Sequence, residues 1–393
     1  MTALATARGA VIAARRLTLH AVENRHARDT MVGAVVHGCY RVDSRIGSGA
    51  MGSVYAATDL RLERQVALKI PHPHLGNDDG VKAAFLAEAR AVAKLHGPNI
   101  AHVLDIELLP NGTPFVVMEL LDGEDLESVL CRRGRLGTAE AVGIALEACA
   151  ALAEAHGVGL VHRDLKPGNL FLARLPDGTR SIKLLDFGIA TASSPAGPPN
   201  STPVGTPLYM PPEQATDSAA CDARNDIWSL GALLYEMLSG RTPFEADSVD
   251  GVLAMLLSSP APPLATLRPD LPKRLAAVVQ RCLEKDRRAR YESVAELATA
   301  LAPFSPASGD VLATRTWRVL CAARRRVARS ASHAAARGRA TSDTLPQPLT
   351  ASMHRAHASA RLARSYALTP TEVASLCALV AATVTSLALL FGG

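Results

Sequence analysis

"GSGAMGSVY" occupies residues 47–55. Its glycines, Gly47, Gly49 and Gly52, have the G-x-G-x-x-G spacing that two unrelated phosphate-binding designs share. In one design a strand runs through a glycine turn into a helix whose N-terminus receives a pyrophosphate. In the other the glycines form the bend of a β-hairpin lying over phosphates. The following residues decide between them. "SVYAATD" continues with Val54 and Tyr55, both strand formers, and leads through a turn to "QVALKI". No helix begins here, so the hairpin is expected. Its glycines let backbone N–H groups approach phosphates with no Cβ in the way.

Chemistry-bearing residues follow in order. "VALK" (66–69) puts Lys69 on the next strand, where a cation can hold phosphates. Glu88 lies in "KAAFLAEARAVAKL" (82–95), a run of strong helix formers, and can pair with Lys69. "VHRDLKPGNLFL" (161–172) supplies Asp164 and Asn169, and "LLDFG" (184–188) supplies Asp186. Asn169 and Asp186 offer the oxygen ligands that a hard Mg²⁺ ion bridging phosphates requires. Asp164 is left to accept a hydroxyl proton. This division of labour suits phosphoryl transfer, where catalysis is positioning and charge neutralisation.

The surrounding pattern predicts an α+β fold in two lobes. From 40 to about 120, short Val/Ile/Tyr-rich runs separated by turn residues read as strands, interrupted by the helix holding Glu88. From about 124 to 303 helical patterns dominate, at 138–156, 225–239, 273–284 and 293–301. A β-rich first lobe (40–121) and an α-rich second lobe (122–303) follow.

Over these residues the chain resembles the eukaryotic-type (Hanks-type) protein kinases, in particular the bacterial membrane-linked serine/threonine kinases. The matches are G-x-G-x-x-G-x-V (47–54), V-A-L-K (66–69), H-R-D-L-K-P-x-N (162–169), D-F-G (186–188), G-T-x-x-Y-M-x-P-E (205–213), D-I-W-S-L-G (226–231) and the distal Arg290. The resemblance implies the bilobal kinase fold. It implies ATP with Mg²⁺ or Mn²⁺ as cofactors, protein substrates, and Asp164, Lys166, Asn169, Lys69 and Glu88 as catalytic residues. Met118 would stand as gatekeeper before a hinge, "ELL" (119–121), whose backbone at Glu119 and Leu121 would bond adenine. Val54, Ala67 and Phe171 would sandwich the ring. Val92, Leu104, His162 and Phe187 would stack as a spine between the lobes. Glu213 would pair with Arg290, and Asp226 would brace the catalytic loop. Lys166 and Thr206 match the Ser/Thr-specific pattern, with Thr206 in the segment that receives the substrate peptide. Arg163 would bind a phosphate on the activation segment (186–213), whose acceptors are Ser193, Ser194, Ser201 and Thr202. Ser201 and Thr202 are the expected autophosphorylation sites.

Departures from the family pattern are mild: "PPE" replaces A-P-E, "LHGPNI" (95–100) carries an extra glycine, and Arg287 stands where proline is common. No catalytic group is missing, which argues against an inactive scaffold. The complete G-T-x-x-Y-M-x-P-E segment, a peptide platform, argues against a small-molecule kinase.

The chain ends carry a different composition. Residues 1–39 read as an N-terminal extension without a core pattern, and Met31 is an alternative start. The net charge of +5 divides as +3 over 1–30, −6 over 31–303 and +8 over 304–393. The basic balance therefore belongs to the ends, and no nucleic-acid partner is expected. Seven scattered cysteines without C-x-x-C pairs suggest reduced thiols. Residues 304–372, rich in Ala, Ser, Arg and Pro, read as a basic linker, within which "TWRVLCAARRRVARSA" suits an amphipathic helix on an anionic membrane. Residues 373–393 hold no charge; as a helix they would span roughly 31 Å, close to the hydrocarbon thickness of a bilayer. A single membrane span over 373–391 is expected. Arg355, Arg361 and Arg364 precede it, which places the kinase domain in the cytoplasm. A homodimer formed through the span is one expected route of activation.

Overall fold

The computed structural model describes residues 29–49, 52–72, 79–187, 207–216, 221–305 and 307–340, with side chains to residue 325. The chain divides into two units at Ser332, and every contact below lies in the first.

The first lobe is a six-stranded antiparallel sheet. In chain order its strands are β1 (Val35–Val36), β2 (Tyr40–Ser48), β3 (Gly52–Asp59), β4 (Arg64–Pro71), β5 (Val103–Leu108) and β6 (Pro114–Glu119), and in space β1-β2-β3-β4-β6-β5. Helix α1 (Asp79–Val92) crosses between β4 and β5 in sequence. Side chains alternate across a sheet, so strand register assigns the two faces. Val66, Leu68 and Ile70 point to one face and close a core with Tyr40, Val42, Tyr55, Phe115 and Val117. The intervening Ala67 and Lys69 point to the other. Opposite them stand Met118, across from Ala67, and Val54 and Val116, across from Lys69. The residues expected around a nucleotide thus share one face because the other is needed for the core.

The second lobe is helical: α2 (Leu126–Arg133), α3 (Thr138–Gly157), α4 (Pro212–Thr216), α5 (Ala223–Ser239), α6 (Val249–Ser258), α7 (Leu264–Leu267), α8 (Lys273–Cys282) and α9 (Val294–Leu301). A small sheet of β7 (Gly123–Asp125), β8 (Leu170–Arg174) and β9 (Arg180–Leu184) lies on the cleft side. α3 and α5 are buried along most of their length and form the centre of the core. α5 starts at a capping box on Asp222 and stops at Gly240 in the left-handed conformation, φ 76°. The Trp228 and Phe244 rings stack beside it at 5.8 Å.

Two boundaries differ from those read in the sequence. The first lobe begins before residue 40: β1 pairs with β2, and Val36 and Cys39 are buried in its core. Farther back, the Tyr55 hydroxyl donates to the Asp29 carboxylate at 3.2 Å. A two-residue strand is too short to show a period-2 pattern. The folded body also continues past 303. Helix α10 (Gly309–Ala340) buries Ala313, Thr316, Leu320 and Ala323 against the second lobe. Most of these residues are small, so the segment looked like linker; a small stripe suffices because Gly157 receives Ala323 at close quarters.

The expected span, residues 373–391, lies outside the described residues. Among the described residues no helix is long and apolar enough to cross a membrane.

Candidate active site

Lys69, on β4, stands between two carboxylates, Glu88 on α1 and Asp186 just after β9. Its Nζ lies 2.8 Å from Asp186 Oδ1 and 3.7 Å from Glu88 Oε1. Burial by itself would lower the lysine pKa, but the two carboxylates outweigh it and hold the ammonium above its ordinary value. At Asp186 withdrawal from bulk water would raise the carboxyl, and Lys69 outweighs that and holds it low. Both groups therefore stay charged at neutral pH. Asp186 keeps 41% of its side-chain surface exposed. Its backbone has φ 37°, a left-handed conformation rare outside glycine. Lys69 and Asp186 line a pocket open to solvent, together with Glu88, Val92, Val103, Met118 and Phe187 among others.

The catalytic loop is held from below. Asp226, wholly buried on α5, accepts the backbone N–H groups of His162 at 2.9 Å and Arg163 at 3.0 Å, and the His156 Nε2–H at 2.7 Å. Arg163 has φ 68°; fixing two successive N–H groups on one carboxylate imposes that turn. The buried His162 ring donates from Nε2 to the Leu185 carbonyl at 2.9 Å and accepts the Asp164 N–H on Nδ1 at 3.3 Å. Burial pushes its pKa below the ordinary value, so the neutral tautomer this pattern requires is the one present. His162 and Phe187 pack at 4.6 Å between centroids.

On the loop, Lys166 Nζ donates to Asp164 Oδ2 at 2.7 Å. The Asn169 amide nitrogen donates to the Asp164 carbonyl at 2.7 Å. The same amide nitrogen also lies 3.2 Å from Asp164 Oδ2, so the donor end of the side chain is committed to Asp164. Below the cleft Arg290, 1% exposed, meets Glu213 in a two-pronged pair at 2.7 and 2.8 Å. Tyr209, in the expected peptide-receiving segment, is fixed by its hydroxyl to Glu236 at 2.5 Å and by its carbonyl to Ser229 at 2.8 Å.

Most expected site residues therefore converge on this cleft. Gly47, Gly49 and Gly52 bracket the bend between β2 and β3, and the Gly49 N–H donates to the Gly52 carbonyl at 2.8 Å. Phe171 lies on β8, paired with Lys183. Leu104 does not join the spine: it is exposed, and Val103 lines the pocket instead. A register shift between Val103 and Asp105 interrupts the strand pairing at Leu104, the position the family resemblance had put in the spine. Ser193, Ser194, Ser201, Thr202, Thr206 and Gly188 lie outside the described residues.

Other anchoring residues were not foreseen. Glu119, expected to act through its backbone, also uses its side chain, which accepts the His102 N–H at 2.9 Å and pairs with Lys183 at 2.7 Å. Glu147 on α3 accepts from Asn99, Ser181 and the Ile182 N–H at 2.8–3.0 Å. Farther along α3, Glu154 accepts the His96 N–H at 2.7 Å. A Cβ on Gly97, the extra glycine in "LHGPNI", would meet that Glu154 carboxylate, the movable end of a side chain. Carboxylates spaced seven apart on a helix gave no local signal of such distant partners.

A bilobal fold with this lysine–carboxylate cleft and loop defines the protein kinase class. The protein kinase domain family matches residues 40–300, and the chain belongs to that family. It is 41% identical over 277 residues to the serine/threonine-protein kinase PknA of Mycobacterium tuberculosis, covering 69% of this chain and 62% of that protein. It is 38% identical over 260 residues to the serine/threonine-protein kinase pkn3 of Myxococcus xanthus, covering 65% of this chain and 47% of that one. The chain thus spans about half to three fifths of these relatives' length. Among solved structures, the PknI kinase domain of Mycobacterium tuberculosis superposes with a TM-score of 0.55 at 28% identity, covering 69% of this chain and 98% of that domain.

Proposed function

We propose that this chain is a serine/threonine protein kinase that transfers the γ-phosphoryl group of ATP to Ser or Thr hydroxyls of proteins, itself included. The observation that carries the reading is the pairing of Lys69 with Glu88 and Asp186, joined through the Leu185 N–H bond to the Asn169 carbonyl with the loop that holds Asp164, Lys166 and Asn169. All of these groups are present and oriented by bonds of their own.

Each group has a task set by its surroundings. Lys69, kept charged and aimed by Glu88, holds phosphate oxygens. Asp164 accepts the proton of the attacking hydroxyl, while Lys166 beside it neutralises charge developing on the transferred group. The hinge backbone at Glu119 and Leu121 receives adenine, with Val54, Ala67 and Phe171 against the ring. Two hard oxygens, from Asn169 and Asp186, are the protein ligands Mg²⁺ or Mn²⁺ takes when nucleotide phosphates complete its shell. The donor set fits such an ion: one neutral amide oxygen and one carboxylate that Lys69 holds ionised. The ion would supply positive charge to the phosphates.

The test is ATP-dependent transfer by the full chain, onto itself and onto a generic protein, beside Lys69→Met and Asp186→Asn. Loss of transfer by about two to three orders of magnitude in both is expected. Undiminished transfer in either would overturn the assignment. Mapping phosphates in the same sample tests autophosphorylation at Ser201 or Thr202, with Arg163 as the phosphate's expected partner.

The uncharged run at 373–391 and the arginines before it support a single-pass tether with the kinase domain on the cytoplasmic face, and a homodimer through that run. Loss of membrane fractionation on deleting 373–393 would be the supporting result, and unchanged fractionation would remove the tether.

A further inference from the structure

Helix α10 has two faces of opposite character. The inward stripe is Gly309, Ala313, Thr316, Leu320 and Ala323, spaced alternately four and three residues apart, all buried. This spacing keeps one seam of a helix against a partner surface. On the outer side Val311 is 71% exposed, and Thr314, Arg318, Cys321, Ala322 and Arg325 are exposed with it. Trp317 and Arg324, two helical turns apart, sit on the shoulder between the faces. Trp317 is half-exposed, and its Nε1–H is already bonded to Thr299 Oγ1 at 3.0 Å. Over residues 309–340 the helix holds eight arginines, no lysine and a single acid, Asp310, at its first turn.

We infer that the outer face of α10, through Trp317, Arg318, Arg324 and Arg325, binds the surface of an anionic lipid bilayer and so fixes the second lobe against the membrane. Three observations select this partner. The face is strongly cationic while the catalytic domain behind it, residues 31–303, has a net charge of −6, so the attraction is local to the helix. Beside the arginines it exposes the aliphatic side chains of Val311 and Ala322, which suit acyl chains at the headgroup boundary. The Trp317 ring is tied to the lobe by its polar edge, leaving its apolar part to lie at the interface, where tryptophan is favoured. Arginine stems reach along such a surface and place the guanidinium among phosphates. The inference does not rest on the 373–391 span, because α10 is held by the catalytic domain.

The chain has two tryptophans, and Trp228 is fully buried, so quenching by brominated lipid reports Trp317. The full chain would be mixed with phosphatidylcholine vesicles, with and without phosphatidylglycerol, carrying brominated acyl chains. Quenching on the anionic vesicles only is expected, weakening with salt. Each arginine replaced by glutamine should lower the anionic-vesicle affinity about fivefold. Trp317→Phe should abolish the signal, and transfer activity measured without vesicles should stay unchanged in all of these variants, which also shows that they fold. Absence of quenching on anionic vesicles would overturn the inference, as would a stronger fluorescence response to short duplex DNA than to the vesicles. Flotation of the full chain with neutral vesicles reports the span separately. Flotation without anionic quenching would leave the span and remove this surface, and the reverse pattern would do the opposite.

Discussion

Arg290 and Glu213, 77 residues apart, form a two-pronged ion pair in which the arginine side chain has no exposure and the carboxylate 14%. Arg290 also donates to the carbonyls of Glu284 and Arg224, and its guanidinium stands 4.9 Å over the Trp228 ring. A buried charge held this way is costly to orphan. Glu213→Ala is expected to destabilise the fold by about 3–5 kcal/mol, a loss that denaturant unfolding would register. Glu213→Gln, which keeps one acceptor, should recover part of it. Equal stability of Glu213→Ala and the native chain would show that the pair is dispensable.

Gly52 opens β3 directly after the loop. A Cβ there would strike the Ile70 carbonyl, with Pro71 Cα 2.9 Å away, and neither neighbour is a movable side chain. Gly52→Ala is therefore expected to push the hairpin off β4. KM for ATP should rise about tenfold, with about 1–3 kcal/mol of stability lost to the clash. Steady-state kinetics and thermal melting, measured together, separate the two effects. An unchanged KM would mean that the loop does not depend on this close approach.

Asp226 links stability to acid. Burial would raise its carboxyl, but the bonds from His156, His162 and Arg163 outweigh burial and hold it below the ordinary aspartate value. With the folded value depressed, the unfolded chain takes up the proton first as pH falls. Its contribution is thus complete above about pH 4 and is lost as pH falls from there through the folded value. Asp226→Asn should melt well below the native protein at neutral pH, and the gap should narrow in acid. A gap independent of pH would locate the loss in geometry alone.

Leu320, 1% exposed, makes α10 part of the catalytic domain. Leu320→Ala is expected to cost about 2–5 kcal/mol, and a chain ending at residue 303 should lose at least as much. Ala323→Leu should act through a different fault, a collision with Gly157 one residue after His156. Melting curves of the three beside the full chain check this. Identical stability of the chain ending at 303 would make α10 a passenger.

Legibility in the sequence followed the range of the interaction. The glycine hairpin, the Lys69 strand, the Glu88 helix and the Asp164–Asn169 loop were readable because each is a local pattern of side-chain type and spacing. Leu104, put in the spine by the family resemblance, is exposed, and Val103 lines the pocket, beside a register shift that depends on the partner strand. β1 was missed because two residues carry no period. The α10 seam was missed because Ala, Thr and Gly are small, and nothing local says that small residues will be buried.

By itself the sequence determined the class of chemistry: which groups are present, in what order, and on strands, helices or loops, since backbone propensity and side-chain alternation act over a few residues. Only the tertiary structure decided which distant groups share one bond network. Asp226 under the catalytic loop, Glu147 and Glu154 beneath residues 96–99, Lys183 on Glu119 and Ala323 on Gly157 are set by packing. Their partners lie from 48 to 166 residues away, and a buried polar group is satisfied by whichever partner the folded core brings within reach.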